Sequence, residues 1–527
     1  MNITGLITVS LSTGIILAFA AIIWNYAKGL KKSPADMWLL FIYNIIEYTA
    51  YGAINSVLTL WLTADCGVSD MWAGNYIMFW SIMLSIIGMV TGAVVDTIGI
   101  RKTLLISIFF LLVSRFFMAF ITDPYIIFVL GFVPMAIGFA IVGPLVSVAI
   151  KRFTSKETAA LGFGLFYVLM NLGYALGGTT FDLLRETFSS RDAAGKIINE
   201  NAGVEFIGHH FSTYQMFFVT GFLLTVISLC VAFFIKGKFE LDENGERTET
   251  SKKELGTGFN AIRNSAADVG TKLHNVVFEK IFWVYIGMLG LTLFVRFIFF
   301  HFAYTFPKYG ISVLGEGAKI GNLYTVFNSV LIILFVPAVS YLTKRTSSYK
   351  MLIAGSLISS LSCFIAVIPA SVFSPLTNTV LGEMIFIKWL GLADSAQSLA
   401  SNPPPAEYWP LIIFIFIFTI GEAVWSPRLM QFTAEIAPVG KEGTYIALSI
   451  LPWFAAKFFV GPMSGFLVKT YTPFENGHPL PPAPDYAMVW VWIGAMALLT
   501  PVTLILLGKY FMKILVPEKI EGKQDDL

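Results

Sequence analysis

The chain has 527 residues, of which 56% are hydrophobic and only 13% charged, with a formal net charge of +2. A charged share about half that of a soluble domain cannot cover a water-soluble fold of this length, which leaves an all-α polytopic membrane protein. Charge this close to balance gives no sign of a nucleic-acid partner.

Apolar runs of about 20 residues, enough to cross roughly 30 Å of hydrocarbon, occur at 6–27, 37–63, 73–96, 103–121, 125–150, 158–184 and 213–236. Others follow at 281–305, 318–343, 350–371, 409–435, 443–469 and 485–513, so thirteen spans are expected. The first run holds Ala18-Phe19-Ala20, a small-residue pattern like a signal-peptidase site. No basic residue precedes it, however, and Lys28, Lys31 and Lys32 follow it, as in an uncleaved anchor. Basic loops then alternate with loops poor in positive charge: Arg101 and Lys102 after the third run, "TDP" after the fourth, "KRFTSKE" after the fifth. Positive charge in short loops marks the cytoplasmic side. The expected topology is multi-pass in a plasma or inner membrane, with the N-terminus outside and the C-terminus cytoplasmic.

Without the first run, twelve helices divide into two sets of six. The separator contains "ELDENGERTETSKKE" and then a stretch with the spacing of an amphipathic surface helix. The expected organisation is an extra helix and basic loop (1–32), a six-helix bundle (33–236), a cytoplasmic linker (237–280), a second six-helix bundle (281–513) and a tail (514–527). Two long loops, 185–212 and 372–408, belong to the outer side.

Seven ionisable residues interrupt the apolar runs: Glu47, Arg115, Arg296, His301, Glu422, Arg428 and Lys457. Each charge near the bilayer centre costs about 2.5–3.5 kcal/mol on insertion scales, so such groups face a cavity or a partner. Glu422 and Ser426 are four apart and share a helix face. Arg296 and His301, five apart, lie about 140° round an ideal helix. Pro427 removes a backbone donor, so the direction of Arg428 does not follow from periodicity. Bland alternatives stand beside the functional ones. Arg115, Arg428 and Lys457 fit structural pairing or snorkelling equally well, His301 fits simple hydrogen bonding, and either glutamate could pair structurally with Arg296. Cys66, Cys230 and Cys363 have neither metal-ligand nor disulfide spacing. No nucleophile–base set appears, so no catalytic residue, metal or cofactor is expected, and the chain reads as a non-enzyme.

The stretch Gly92 to Lys102, "GAVVDTIGIRK", resembles the signature loop of the major facilitator superfamily. That resemblance implies a major facilitator fold of 6 + 6 helices, here with one extra, and a gating latch made by Gly92, Asp96, Gly99, Arg101 and Lys102. The corresponding second-half loop has Tyr341 where aspartate is expected. Within the superfamily, "GEAVWSPRLMQFTAEIAP" followed by "GTYIAL" resembles helices 10 and 11 of the proton-coupled oligopeptide transporters. Gly138, Pro144 and Ser147 look like that family's helix 4, and Phe166-Tyr167 with Asn171-Leu172-Gly173 like its helix 5. The first family helix departs: Glu47 stands one residue too close to Gly52, no arginine follows it, and Asn44 replaces the second glutamate. Gly143 stands where helix 4 carries lysine. In the family those groups handle protons and the peptide carboxylate.

The resemblance implies alternating-access secondary transport of a small zwitterionic solute, such as a di- or tripeptide or an amino-acid-derived compound, by proton symport. It implies substrate binding by Glu422, Arg296, Tyr51, Asn171, Ser426 and Trp425, and proton coupling by Glu47, Glu422 and His301. Partners are then the solute, protons and the lipid bilayer, with the protein a monomer or loose homodimer. Two alternatives stay open: facilitated or exchange transport of an organic anion, and a non-transporting sensor or membrane assembly subunit.

Overall fold

In lipid a backbone must satisfy its own polar groups, and the apolar runs do so as helices. The computed structural model describes residues 3–155, 157–206, 208–237, 239–241, 246–249, 277–343, 345–436, 451–475 and 477–515, with isolated positions between 263 and 274. The expected amphipathic linker helix, the tail and the start of the run at 443–469 lie outside the described residues.

In chain order the first helices are α1 (Ile3–Gly29), α2 (Ala35–Ala64), α3 (Asp70–Ile98) and α4 (Ile100–Phe120). Ser69 caps α3 by accepting from the Trp72 amide. Gly99 joins α3 to α4 at φ +85°, a conformation that favours glycine, as the tight turn in the signature loop requires. Then come α5 (Pro124–Phe153) and α6 (Ala159–Thr187). The segment read as a long loop folds into two small hairpins, β1 (Ser190–Arg191) with β2 (Ile197–Asn199) and β3 (Val204–Phe206) with β4 (His209–Phe211). They precede α7 (Thr213–Phe234), which opens on a reciprocal capping box between Ser212 and Gln215. A further hairpin, β5 (Phe239–Leu241) with β6 (Arg247–Glu249), begins the linker.

The second half starts with α8 (Lys280–Leu291) and α9 (Val295–Tyr304), bent by 59° at the break between them. There follow α10 (Phe306–Leu314), α11 (Gly321–Leu342) and α12 (Ser348–Val367). A pair bent by 90°, α13 (Ala370–Asn378) and α14 (Val380–Trp389), and the short α15 (Ala396–Ser401) occupy the second long connection. Last are α16 (Tyr408–Glu435), α17 (Leu451–Tyr471), the hairpin β7 (Phe474–Glu475) with β8 (His478–Pro479), and α18 (Met488–Leu515).

Among the described residues nine helices are long and apolar enough to cross a membrane, or eleven if each bent pair is one span. That measure stops short of the thirteen expected; α1, α2 and α17, outside the nine, are helices of 27, 30 and 21 residues.

Helices before the linker pack on one another: α2 on α6 and α7, and α4 on α5 and α7. Those after it do the same, with α12 against α16 and α18. The two bundles meet along α3 with α17 and α6 with α11. Lipid offers little hydrophobic drive between helices, so close backbone approach at small residues does much of the holding. A Cβ on Gly74 of α3 would lie 2.2 Å from the Gly461 carbonyl oxygen of α17, and one on Gly321 of α11 only 2.0 Å from that of Gly178 in α6. Helix α1 packs against α6, where Leu161 and Tyr26 fill the space beside Gly29 and Gly164, and also touches α11 and α14.

Candidate functional site: a cavity between the bundles

Where the bundles meet, α2, α6, α9, α11, α16 and α17 enclose a cavity of about 300 Å³. Its two walls differ in chemistry. The first bundle contributes phenols, amides and a hydroxyl: Tyr51, Asn55 and Ser56 from α2, Tyr167, Asn171 and Tyr174 from α6. The second contributes every charged lining group among the described residues: Arg296, Glu422 and Lys457.

Helical spacing explains the lining. Tyr51 and Asn55 are four apart on α2, and Tyr167, Asn171 and Tyr174 follow at four and three on α6, so each set shares a face. Arg296, Phe300 and Ala303 repeat that spacing on α9, as do Tyr324 and Asn328 on α11 and Glu422 and Ser426 on α16. Tyr51 is held by stacking on Phe139, ring centroids 3.8 Å apart. Glu422 is buried, and one carboxylate oxygen accepts from the Asn328 amide at 2.9 Å; that amide also donates to Thr419 at 3.0 Å. The Arg296 guanidinium carbon lies 5.5 Å from the centre of the Trp425 ring, within range of a cation–π contact. Lys457 Nζ lies 5.6 Å from the centre of Phe300.

All six residues expected at the substrate, Tyr51, Asn171, Arg296, Glu422, Trp425 and Ser426, line this cavity. Glu47 and His301 do not. Glu47 pairs with Arg115 at 2.9 Å, both buried inside the first bundle, and Arg115 also donates to the Gly221 carbonyl at 3.2 Å and to the Thr225 hydroxyl. The partner of Glu47 is therefore Arg115, across α2 and α4, and not Arg296. His301 is fully buried; its Nδ1 is 2.7 Å from the Thr305 hydroxyl, which donates to Ser464 at 2.9 Å. Arg428 reaches back to the end of α11, donating to the Thr343 carbonyl at 3.2 Å and to Gln431 at 2.6 Å. It anchors a helix end, which accounts for its place beyond Pro427. Of the expected latch, Gly99 forms the turn and Arg101 and Lys102 are exposed. Gly92 and Asp96 lie in the α3 backbone, and their surroundings fall outside what is described.

A second cluster, unforeseen in the sequence, ties the bundles together on the face that carries the hairpins β1–β2, β3–β4 and β7–β8, called the hairpin face below. The Asp182 carboxylate of α6 accepts from the backbone amides of Gly321 and Asn322 at 2.8 and 2.7 Å, and from the Asn322 side chain at 2.9 Å. It thus caps the N-terminus of α11 from the other bundle. Arg185, one turn on, pairs with Glu200 and donates to the Ala318 carbonyl at 2.9 Å; Glu200 also accepts from the Gly317 amide. Lys319 pairs with Glu186 and Lys308 with Asp70. Of the cavity's phenols only Tyr51 was expected; Tyr167, Tyr174, Tyr304 and Tyr324 were missed, though the Tyr-x₃-Asn-x₂-Tyr spacing at 167–174 carried the signal of the first two.

The sequence profile of the Major Facilitator Superfamily matches residues 40–404. An uncharacterized MFS-type transporter of Bacillus subtilis (strain 168), YqjV, is 20% identical over 424 residues, 79% of this chain and 83% of that protein. Among solved structures, a POT family transporter in complex with 5-aminolevulinic acid shares 14% identity at a TM-score of 0.59, over 92% of this chain and 99% of that one. A D-xylose-proton symporter shares 12% identity at a TM-score of 0.56, over 89% and 96%. At such identities the structural likeness speaks for the fold.

Proposed function

The chain belongs to the major facilitator superfamily, and from that premise we propose that it is a proton-coupled secondary transporter of a small zwitterionic solute, a di- or tripeptide or an amino-acid-derived compound. One observation carries the reading: a carboxylate and a guanidinium, Glu422 and Arg296, line the same cavity between the bundles, opposite a wall of phenols and amides. A solute amine suits Glu422, its carboxylate suits Arg296, and the tyrosines offer hydroxyls and ring faces to what lies between. The cavity's volume sits at the lower end of the range for small-molecule sites, about 300–1,000 Å³, which favours solutes of very few residues.

Transport follows if the bundles rock about this site. The cavity opens toward the hairpin face only when the Asp182, Arg185, Lys308 and Lys319 contacts part. The opposite face is governed by the loop from Gly92 to Lys102. In this reading the hairpin face is the outer one and the basic loops are cytoplasmic. Proton coupling rests on Glu422, the carboxylate that meets the solute, whereas Glu47 and His301, turned away from the lining, hold helices together.

The test is uptake of labelled dipeptides into proteoliposomes under an imposed pH gradient. Uptake that rises with inward acid and is lost in Glu422→Gln supports the reading. Flux indifferent to pH and to uncouplers, with Glu422→Gln unimpaired, sinks it.

A further inference from the structure

The zwitterion reading leaves Lys457 without work, and the charges of the cavity do not close around a neutral solute. Among the described lining residues there are two cations and one carboxylate. Glu422 balances either Arg296 or a solute amine, but not both along with Lys457. A zwitterion that pairs its amine with Glu422 and its carboxylate with Arg296 leaves an ammonium uncompensated deep in the membrane protein, where unpaired charge is costly.

The geometry places this ammonium over the face of α9 that carries the arginine. Arg296 and Phe300 are four residues apart on α9 and both line the cavity, so they share its face. Lys457, from α17, lines the same cavity and extends over the Phe300 ring. Among the described residues Lys457 has neither a salt-bridge nor a hydrogen-bond acceptor; the ring is its one described contact. An ammonium has three donors to satisfy, and here they border open volume.

Resting on the zwitterion reading, we propose that Lys457 and Arg296 form a two-cation subsite for a second anionic group, so that the solute taken by this cavity is net negative. It carries one amine for Glu422 and two acidic groups, as in an acidic amino acid or a short peptide with an acidic side chain. With that solute bound, the cavity's net charge of +1 falls to zero. The phosphate of a phosphorylated amino-acid compound offers the same oxygen acceptors, and the same assay separates the two.

The experiment is equilibrium binding to the purified full chain in detergent, followed by thermal shift and isothermal calorimetry. The probes are alanyl-glutamate, its isostere alanyl-glutamine, and alanyl-phosphoserine. The proteins are wild type, Lys457→Gln and Lys457→Arg, each first shown to be monodisperse. Wild type should bind alanyl-glutamate roughly tenfold more tightly than alanyl-glutamine, the scale of one added charge-assisted contact. The preference should collapse to about unity in Lys457→Gln and persist in Lys457→Arg. Stronger binding of alanyl-phosphoserine than of alanyl-glutamate assigns the subsite to phosphate, with the same dependence on Lys457. A wild type that binds both unphosphorylated dipeptides equally, or a preference that survives Lys457→Gln, overturns the subsite while leaving the zwitterion reading intact. If no probe binds, the zwitterion reading fails and the subsite falls with it.

Discussion

Glu47 is wholly buried at 2.9 Å from Arg115 and does not line the cavity, while Glu422 accepts from a neutral amide and borders it. The two carboxylates should therefore respond differently to the same change. Glu47→Gln strands the Arg115 guanidinium among helices, and breaking a buried pair from one side typically costs about 3–5 kcal/mol. The expected result is a clear fall in melting temperature in detergent, largely restored by Glu47→Leu with Arg115→Met, since an apolar pair of similar volume needs no counter-charge. If Glu47→Gln melts like wild type, the pair is not structural. Glu422→Gln keeps the shape and leaves the Asn328 contact an acceptor, so its melting temperature should move little while pH-driven uptake disappears. The seven intramembrane ionisable residues were visible in the sequence because each interrupts an apolar run. Their partners were not: Glu47 and Arg115 are 68 residues apart, and one-dimensional periodicity holds no information on which helix lies next to which.

At the scale of elements, the N-terminus of α11 is closed by a carboxylate from α6, in place of a cap from its own chain segment. Losing a cap costs about 0.5–2 kcal/mol, and here the loss also loosens one bundle from the other. Asp182→Ala should make the state open at the hairpin face more populated, by roughly tenfold if about 1.4 kcal/mol is removed. A cysteine introduced at Ser329, which lines the cavity, should then react faster with an impermeant thiol reagent added on that face. Unchanged labelling would show that Asp182 does not restrain opening. Gly178→Ala works from the same crossing by sterics, since its Cβ would lie 2.8 Å from the Gly321 carbonyl oxygen. It should lower thermal stability, as overpacking commonly does by about 1–3 kcal/mol. Helices were legible from apolar length, and the turn at Gly99 from its motif. The hairpins at 190–211 were not, being short, polar and stabilised by contacts such as Glu200 with Arg185 that only the folded chain brings together.

For the whole molecule, the division into two bundles was readable from the charged linker, and the superfamily from the loop between α3 and α4. The composition of the cavity was only half readable: the charged wall announced itself, and of the wall opposite only Tyr51 and Asn171 were marked. That division of labour has an electrical consequence. All charged lining groups among the described residues belong to the second bundle, so any rocking of one bundle against the other carries a fixed charge through part of the transmembrane field. A full crossing of one elementary charge at 100 mV is worth about 2.3 kcal/mol, and a partial displacement feels a proportionate share. The empty carrier should therefore return at a rate set by voltage, and it should give a capacitive current on a voltage step across a supported membrane. A bound solute of net charge −1 cancels the moving charge as long as Glu422 stays deprotonated, so added in alkaline medium it should silence that current, and the proton taken up on acidification should restore it.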